Sequence, residues 1–184
     1  EPVRNGFGLF GTLYGAVVKN LKLNSVTMES PGDNSGSLAG QATCALISGV
    51  ESVGINIVGA KNLSGGLVGM LGNYNRVFYS KTQGNLKTDT SLLVNRIGGF
   101  AGAGVGTPVV VSFSDANVNI ESKAMLLGGF FGSVAGGPTS ISKFRINNST
   151  AKGNILVKSG SARLGGMLGQ VTGLIAESNQ AGPA

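Results

Sequence analysis

The chain has 184 residues, a net charge of +6, only 12% charged residues, 32 glycines, a single cysteine and no histidine or tryptophan. That length suffices for one domain with a continuous core. One cysteine excludes an internal disulfide framework, and the lack of histidine removes the usual partner of a catalytic thiol, so Cys44 reads as a small core residue.

A hydrophobic share of 41% separates this glycine-rich chain from a disordered linker, and its glycines follow no collagen triplet. The basic residues are scattered, with loose groupings at Lys19/Lys22, Arg76/Lys81/Lys87, Lys143/Arg145 and Lys152/Lys158. Nucleic-acid binding needs a concentrated basic footprint with stacking aromatics, so no nucleic-acid partner is expected. No run approaches the roughly 20 apolar residues of a membrane span, and the segment before Gly6 has no apolar signal core.

In chain order, one glycine motif returns six times. The copies are Gly8-Leu9-Phe10-Gly11, Gly36-Ser37-Leu38-Ala39-Gly40, Gly65-Gly66-Leu67-Val68-Gly69, Gly98-Gly99-Phe100-Ala101-Gly102, Gly128-Gly129-Phe130-Phe131-Gly132 and Gly165-Gly166-Met167-Leu168-Gly169. Their closing glycines, Gly11, Gly40, Gly69, Gly102, Gly132 and Gly169, are separated by 29, 29, 33, 30 and 37 residues. A period in that range marks a repeat architecture.

Between the motifs, apolar residues alternate with polar ones. Leu21, Leu23, Val26 and Met28 do so after the first motif; Ile47, Val50, Val53, Ile55 and Ile57 after the second. Val109, Val111, Phe113, Val118 and Ile120 repeat the layout, as do Ile141, Phe144, Ile146, Ile155 and Val157. A period of two is the strand signature, and so many glycines penalise helix. About three strands per repeat, each pairing with its equivalent in the next, predict an all-β, right-handed parallel β-helix (β-solenoid) of about six rungs. A β-sandwich accounts for the alternation but not for six evenly spaced copies. The domain is expected to occupy 1–184 as a single solenoid. Leu9, Leu38, Leu67, Phe100, Phe130 and Met167 are expected to stack inside at one corner, with the double glycines at sharp bends.

The sequence Gly-Gly-apolar-apolar-Gly, a short turn and a strand such as Val18-Lys19-Asn20-Leu21 or Arg76-Val77-Phe78 resembles the GLUG repeat of large bacterial surface and secreted proteins. Such repeats belong to filamentous-haemagglutinin-like adhesins and to the non-catalytic part of immunoglobulin A-cleaving peptidases. The resemblance implies an extracellular or bacterial cell-surface location, and a non-enzymatic adhesin stalk contacting a host or matrix glycan or protein. It carries no peptidase chemistry, because the zinc-binding His-Glu-x-x-His has no counterpart in a chain without histidine.

An enzyme reading rests on the acids Glu1, Glu29, Asp33, Glu51, Asp89, Asp115, Glu121 and Glu177. Glycoside hydrolysis needs two carboxylates within reach of one bond. Glu29 and Glu121 are expected on one face but three rungs apart, whereas Asp33 and Asp89 come nearer. A polysaccharide-active enzyme would therefore use Asp33 and Asp89. Gly102-Ala103-Gly104-Val105-Gly106 lacks the helix and lysine of a phosphate loop, Thr88-Asp89-Thr90 is too short for an ice-binding ladder, and Asn147-Asn148-Ser149-Thr150 reads as polar turn. No metal or cofactor is expected. With no evident cap before Gly8 or after Ser178, the chain reads as a segment of a longer one, or as a fibre subunit that associates head to tail.

Overall fold

Each turn of the chain bends at its glycine motif, and the reason is steric. A Cβ added to Gly98 would run into the carbonyl of Ala101, and one added to Gly128 into that of Phe131. Both motifs thus fold back on themselves as tight arches. The closing glycine then lies against the arm of the preceding turn: a Cβ on Gly102 would meet the backbone nitrogen of Ser64, and one on Gly132 that of Ile97. These glycines are not among the positive-φ residues. Close backbone approach, rather than left-handed backbone, is therefore what the double glycines supply.

The computed structural model describes residues 6–29, 32–59, 61–88, 95–106, 108–136, 144–158 and 162–172. Among them every regular element is a strand, and all pairings between strands are parallel. The fold is a β-solenoid. One turn runs through Leu63–Gly65, Val68–Leu71, Asn75–Phe78 and Lys81–Thr88, each of which belongs to a different sheet. We call these sheets I to IV. Each repeat thus has four strands where the alternation suggested three, because the arch splits the glycine motif between sheets I and II.

Sheets I and II contain six strands each and sheet III five. Sheet IV has seven segments, of which Lys22–Asn24 and Thr27–Glu29 both pair with Glu51–Val58, and Thr150–Lys152 and Ile155–Val157 both pair with Asp115–Ser122. Complete turns are consequently fewer than the six expected from the motif copies.

The core is a set of ladders. In sheet III, Val18, Ile47, Val77, Val111 and Ile146 occupy one register position. In sheet IV, Met28, Ile57, Leu86, Ile120 and Ile155 do the same. At the arch, Leu38, Leu67, Phe100 and Phe130 are fully buried, and the Phe100 and Phe130 rings stack with centroids 4.6 Å apart. Burying each such side chain contributes about 1.5–3 kcal/mol relative to leaving it in water. Gly104 leaves its place in the sheet II ladder to the ring of Phe144, which packs edge-on against Phe131.

Five positions expected inside depart from expectation. Leu9 is 56% exposed: it lines the interior beside Leu23, Val26 and Met28, but it belongs to the first described turn and is stacked on from one side only. Met167 is only half-buried. Val53 aligns with Asn24 and Gln83 on the outer side of sheet IV, since Gly54 is an extra residue that bulges its strand. Phe113 and Cys44 sit at corners with φ of 52° and 54°, a left-handed backbone that turns the side chain outward. Cys44 is thus exposed, not a core residue. Ile141 lies outside the described residues.

Candidate binding surface

Two polar devices hold the corners and so set the geometry of the outer faces. Between sheets II and III, the buried side chain of Asn75 accepts from the backbone of Ala45 at 3.0 Å and donates to the carbonyls of Ala42 and Gly72, both at 2.8 Å. Between sheets III and IV, Ser80, Ser114 and Ser149 stack. The hydroxyl of Ser114 accepts from the backbone of Ser80 at 3.2 Å, and that of Ser149 accepts from the backbone of Ser114 at the same distance. Each hydroxyl donates back to the carbonyl two residues earlier, on Phe78, Ser112 and Asn147. Just before these serines the chain passes through positive φ at Tyr79, Phe113 and Asn148. Tyr79 and Phe113 therefore stand outside the solenoid, stacked face to face at 5.1 Å. Sequence reasoning missed both devices, although a serine after the corner residue recurs at 80, 114 and 149.

Sheet IV is the broadest face, with eight-residue strands in its middle levels. Its outward positions form columns along the solenoid axis. One column runs Lys22, Glu51, Lys81, Asp115, Thr150, so charge alternates from turn to turn. The Lys81 ammonium lies 3.0 Å from Glu51, and the Thr150 hydroxyl donates to Asp115 at 2.6 Å. A second column runs Thr27, Asn56, Asn85, Asn119, then Asn154 next to the paired Ile155. Its third runs Glu29, Val58, Lys87, Glu121, Leu156. There Glu121 receives Lys87 at 3.3 Å and Lys158 at 3.4 Å. The hydrogen bond from Lys87 outweighs desolvation, which acts the other way, and with the added charges of Lys158 and Lys87 it holds the carboxyl below the ordinary carboxylate value.

Of the two carboxylates predicted for catalysis, Asp33 lies among the described residues. Asp33 is half-buried, its carbonyl accepting from the Leu63 backbone at 2.6 Å, and Asp89 lies outside the described residues. Glu29 and Glu121 do share a column, three turns apart as the spacing required, with Val58 and Lys87 between them. Glu51 and Asp115 are likewise separated by Lys81. The closing glycines Gly11, Gly40, Gly69, Gly102, Gly132 and Gly169 fall at one register position, because their flanking residues pair turn to turn through sheet II. Their role is structural. No group of three metal-ligating side chains occurs among the described residues.

Comparison with protein-family models, with curated proteins and with solved structures finds no match to this chain.

Proposed function

We propose that this chain is a non-enzymatic repeat module of a bacterial surface or secreted protein, a stalk whose long faces contact a glycan or protein. The observation that carries this reading is the outer side of sheet IV. Its side chains repeat in register from turn to turn, so the same polar groups are presented again at each strand spacing of about 4.8 Å. A surface built that way suits a long partner better than a small substrate. Its acids are also spaced by bases along the columns, as Glu51 and Asp115 are by Lys81, which favours a contact surface over a pair of carboxylates acting on one bond. The likeness of the glycine motif to the GLUG repeat favours the extracellular, bacterial setting.

Beads coated with the chain should attach to at least one member of a panel of immobilised polysaccharides and matrix proteins, and uncoated beads should not. The enzyme alternative is read from the same panel. Turnover of any polysaccharide that disappears in Asp33→Asn or Asp89→Asn would replace the adhesive reading with a catalytic one.

A further inference from the structure

A groove of about 390 Å³ crosses sheet IV along the solenoid axis. Asn56, Asn85, Asn119 and Asn154 line it, and Val58 and Leu156 form part of its wall. We propose that this groove binds one neutral, extended chain of equatorially linked hexopyranose units, lying along the axis across the four asparagines. The inference rests on the contact-surface reading and deepens it by naming the site and the class of ligand.

Chemistry favours that ligand first. Each carboxamide both donates and accepts, as a sugar hydroxyl does. All four asparagines are exposed. Asn119 donates one amide hydrogen to the Asn85 carboxamide at 3.2 Å and accepts from the Asn154 backbone at 3.0 Å. Its second amide hydrogen is left for a ligand, and the Asn85 amide keeps both of its own. The groove also has apolar surface for the C–H faces of a pyranose ring. Leu156 is 51% exposed there and is not used by the core.

Periodicity favours it next. The asparagines recur at the strand spacing of about 4.8 Å, whereas an extended peptide presents side chains on one side only every second residue, about 6.6–6.8 Å. A peptide would fall out of step within two turns. An equatorially linked pyranose chain advances by about one strand spacing per ring, and although successive rings are turned over, every ring carries hydroxyls on both edges, so each asparagine meets a hydroxyl.

Charge decides between neutral and acidic glycans. The lysines beside the groove are Lys87 and Lys158, and both are paired to Glu121. One carboxylate shared by two ammonium groups leaves a single net positive charge at the rim, too little to match a sulfate or uronate group at every asparagine step of an acidic glycan.

The test is calorimetric titration of the full chain with two β-1,4-linked hexasaccharides, of glucose and of N-acetylglucosamine. Saturable binding of at least one is expected. Replacing both Asn85 and Asn119 by alanine should weaken it about tenfold or more, since each lost hydrogen bond is worth several-fold in affinity. Replacing Gln83 and Asn117, which share the same strands but not the groove, should change it less than about twofold. Leu156→Ala should weaken binding severalfold, and as an exposed residue it keeps the experiment decisive even where the double asparagine variant fails to fold.

No binding of either hexasaccharide up to about 1 mM overturns the proposal, and the bead experiment then decides the contact-surface reading separately. Binding insensitive to these variants overturns the groove and leaves that reading standing. Asparagine-dependent binding of a heparin hexasaccharide or an extended peptide in place of the neutral sugars overturns the ligand class.

Discussion

Gly11 and Gly102 occupy the same register position, yet only one of them is crowded. A Cβ on Gly11 would have ordinary van der Waals room, with the Gly6 carbonyl 3.4 Å away, whereas one on Gly102 would press into the backbone of Ser64. Backbone of a paired strand cannot step aside, so Gly102→Ala and Gly132→Ala should each cost about 1–3 kcal/mol or more, as overpacking does. Gly11→Ala should be nearly neutral, or slightly stabilising through the unfolded chain. Urea unfolding midpoints of the three variants check this ordering; equal losses at all three positions would mean that packing between the arms of the arch is not what the glycines serve. Phe130 is a second discriminating residue. It is fully buried between the rings of Phe100 and Phe131, and Phe130→Asp would leave an unpaired charge there at a cost of several kcal/mol. Loss of the strand signal in the far-ultraviolet spectrum at room temperature is the expected result. The interior of Leu38, Leu67, Phe100 and Phe130 was legible in the motif because each copy places its apolar residue at the same step from the closing glycine. Leu9 stands at the same step and lines the interior beside Leu23 and Met28, but the motif could not tell that its place in the first described turn leaves it 56% exposed. Phe113 and Cys44 misled for a different reason: alternation registers that a residue is apolar, but a left-handed corner sends its side chain out.

At the level of single elements, the corners depend on polar side chains that reach from one turn to the next. Asn75 satisfies three buried backbone groups by itself. Asn75→Ala would leave the Ala45 N–H and the Gly72 carbonyl without that partner, while the Ala42 carbonyl keeps the Gly72 backbone donor at 2.8 Å, so a loss of at least about 2 kcal/mol is expected. Asn75→Asp should fare little better, because a carboxylate can accept from Ala45 but only repels the carbonyls of Ala42 and Gly72. In sheet IV the relevant link is Glu121 between Lys87 and Lys158. Its carboxyl is held below the ordinary value in the folded chain, chiefly by Lys87. The folded state therefore binds that proton more weakly than the unfolded state. The contribution of Glu121 to stability is present at neutral pH and disappears as pH falls through the acid range. Glu121→Gln should remove this part of the acid sensitivity, so that the melting temperatures of the variant and the natural chain converge on acidification; a constant gap between them would show that Lys87 and Lys158 do not act through charge. Alternation foretold which residues of this sheet face inward, and its period even placed Glu29 and Glu121 on one column. It did not foretell the full asparagine column: Asn85, Asn119 and Asn154 are in simple register, but Asn56 joins them only once Gly54 has been counted as an extra residue in its strand.

The whole molecule behaves as a stack in which each turn touches only its neighbours, so stability is distributed by position along the axis rather than pooled in one centre. The inner turns are sealed on both sides: Leu67, Phe100 and Phe130, and with them Val77, Val111, Leu86 and Ile120, are at most 1% exposed. The outer described turns are not sealed. Leu9, Leu164 and Val171 are between 45% and 56% exposed, and Leu21, Leu23 and Met28 are only half-buried although they pack against the core. Amide exchange reports local opening free energies that scale with such burial. Exchange should therefore be slowest in the strands Val68–Leu71, Ala101–Val105, Asn75–Phe78 and Val109–Ser112, and fastest in Val17–Lys19 and Arg163–Gly165, with a graded series between them. Phe130→Asp, in the turn stacked directly on Ala101–Val105, should collapse that gradient and not merely lower one step of it. Uniform protection from the first described turn to the last would indicate that the solenoid opens as a single unit, and the nearest-neighbour account of its stability would then have to be abandoned.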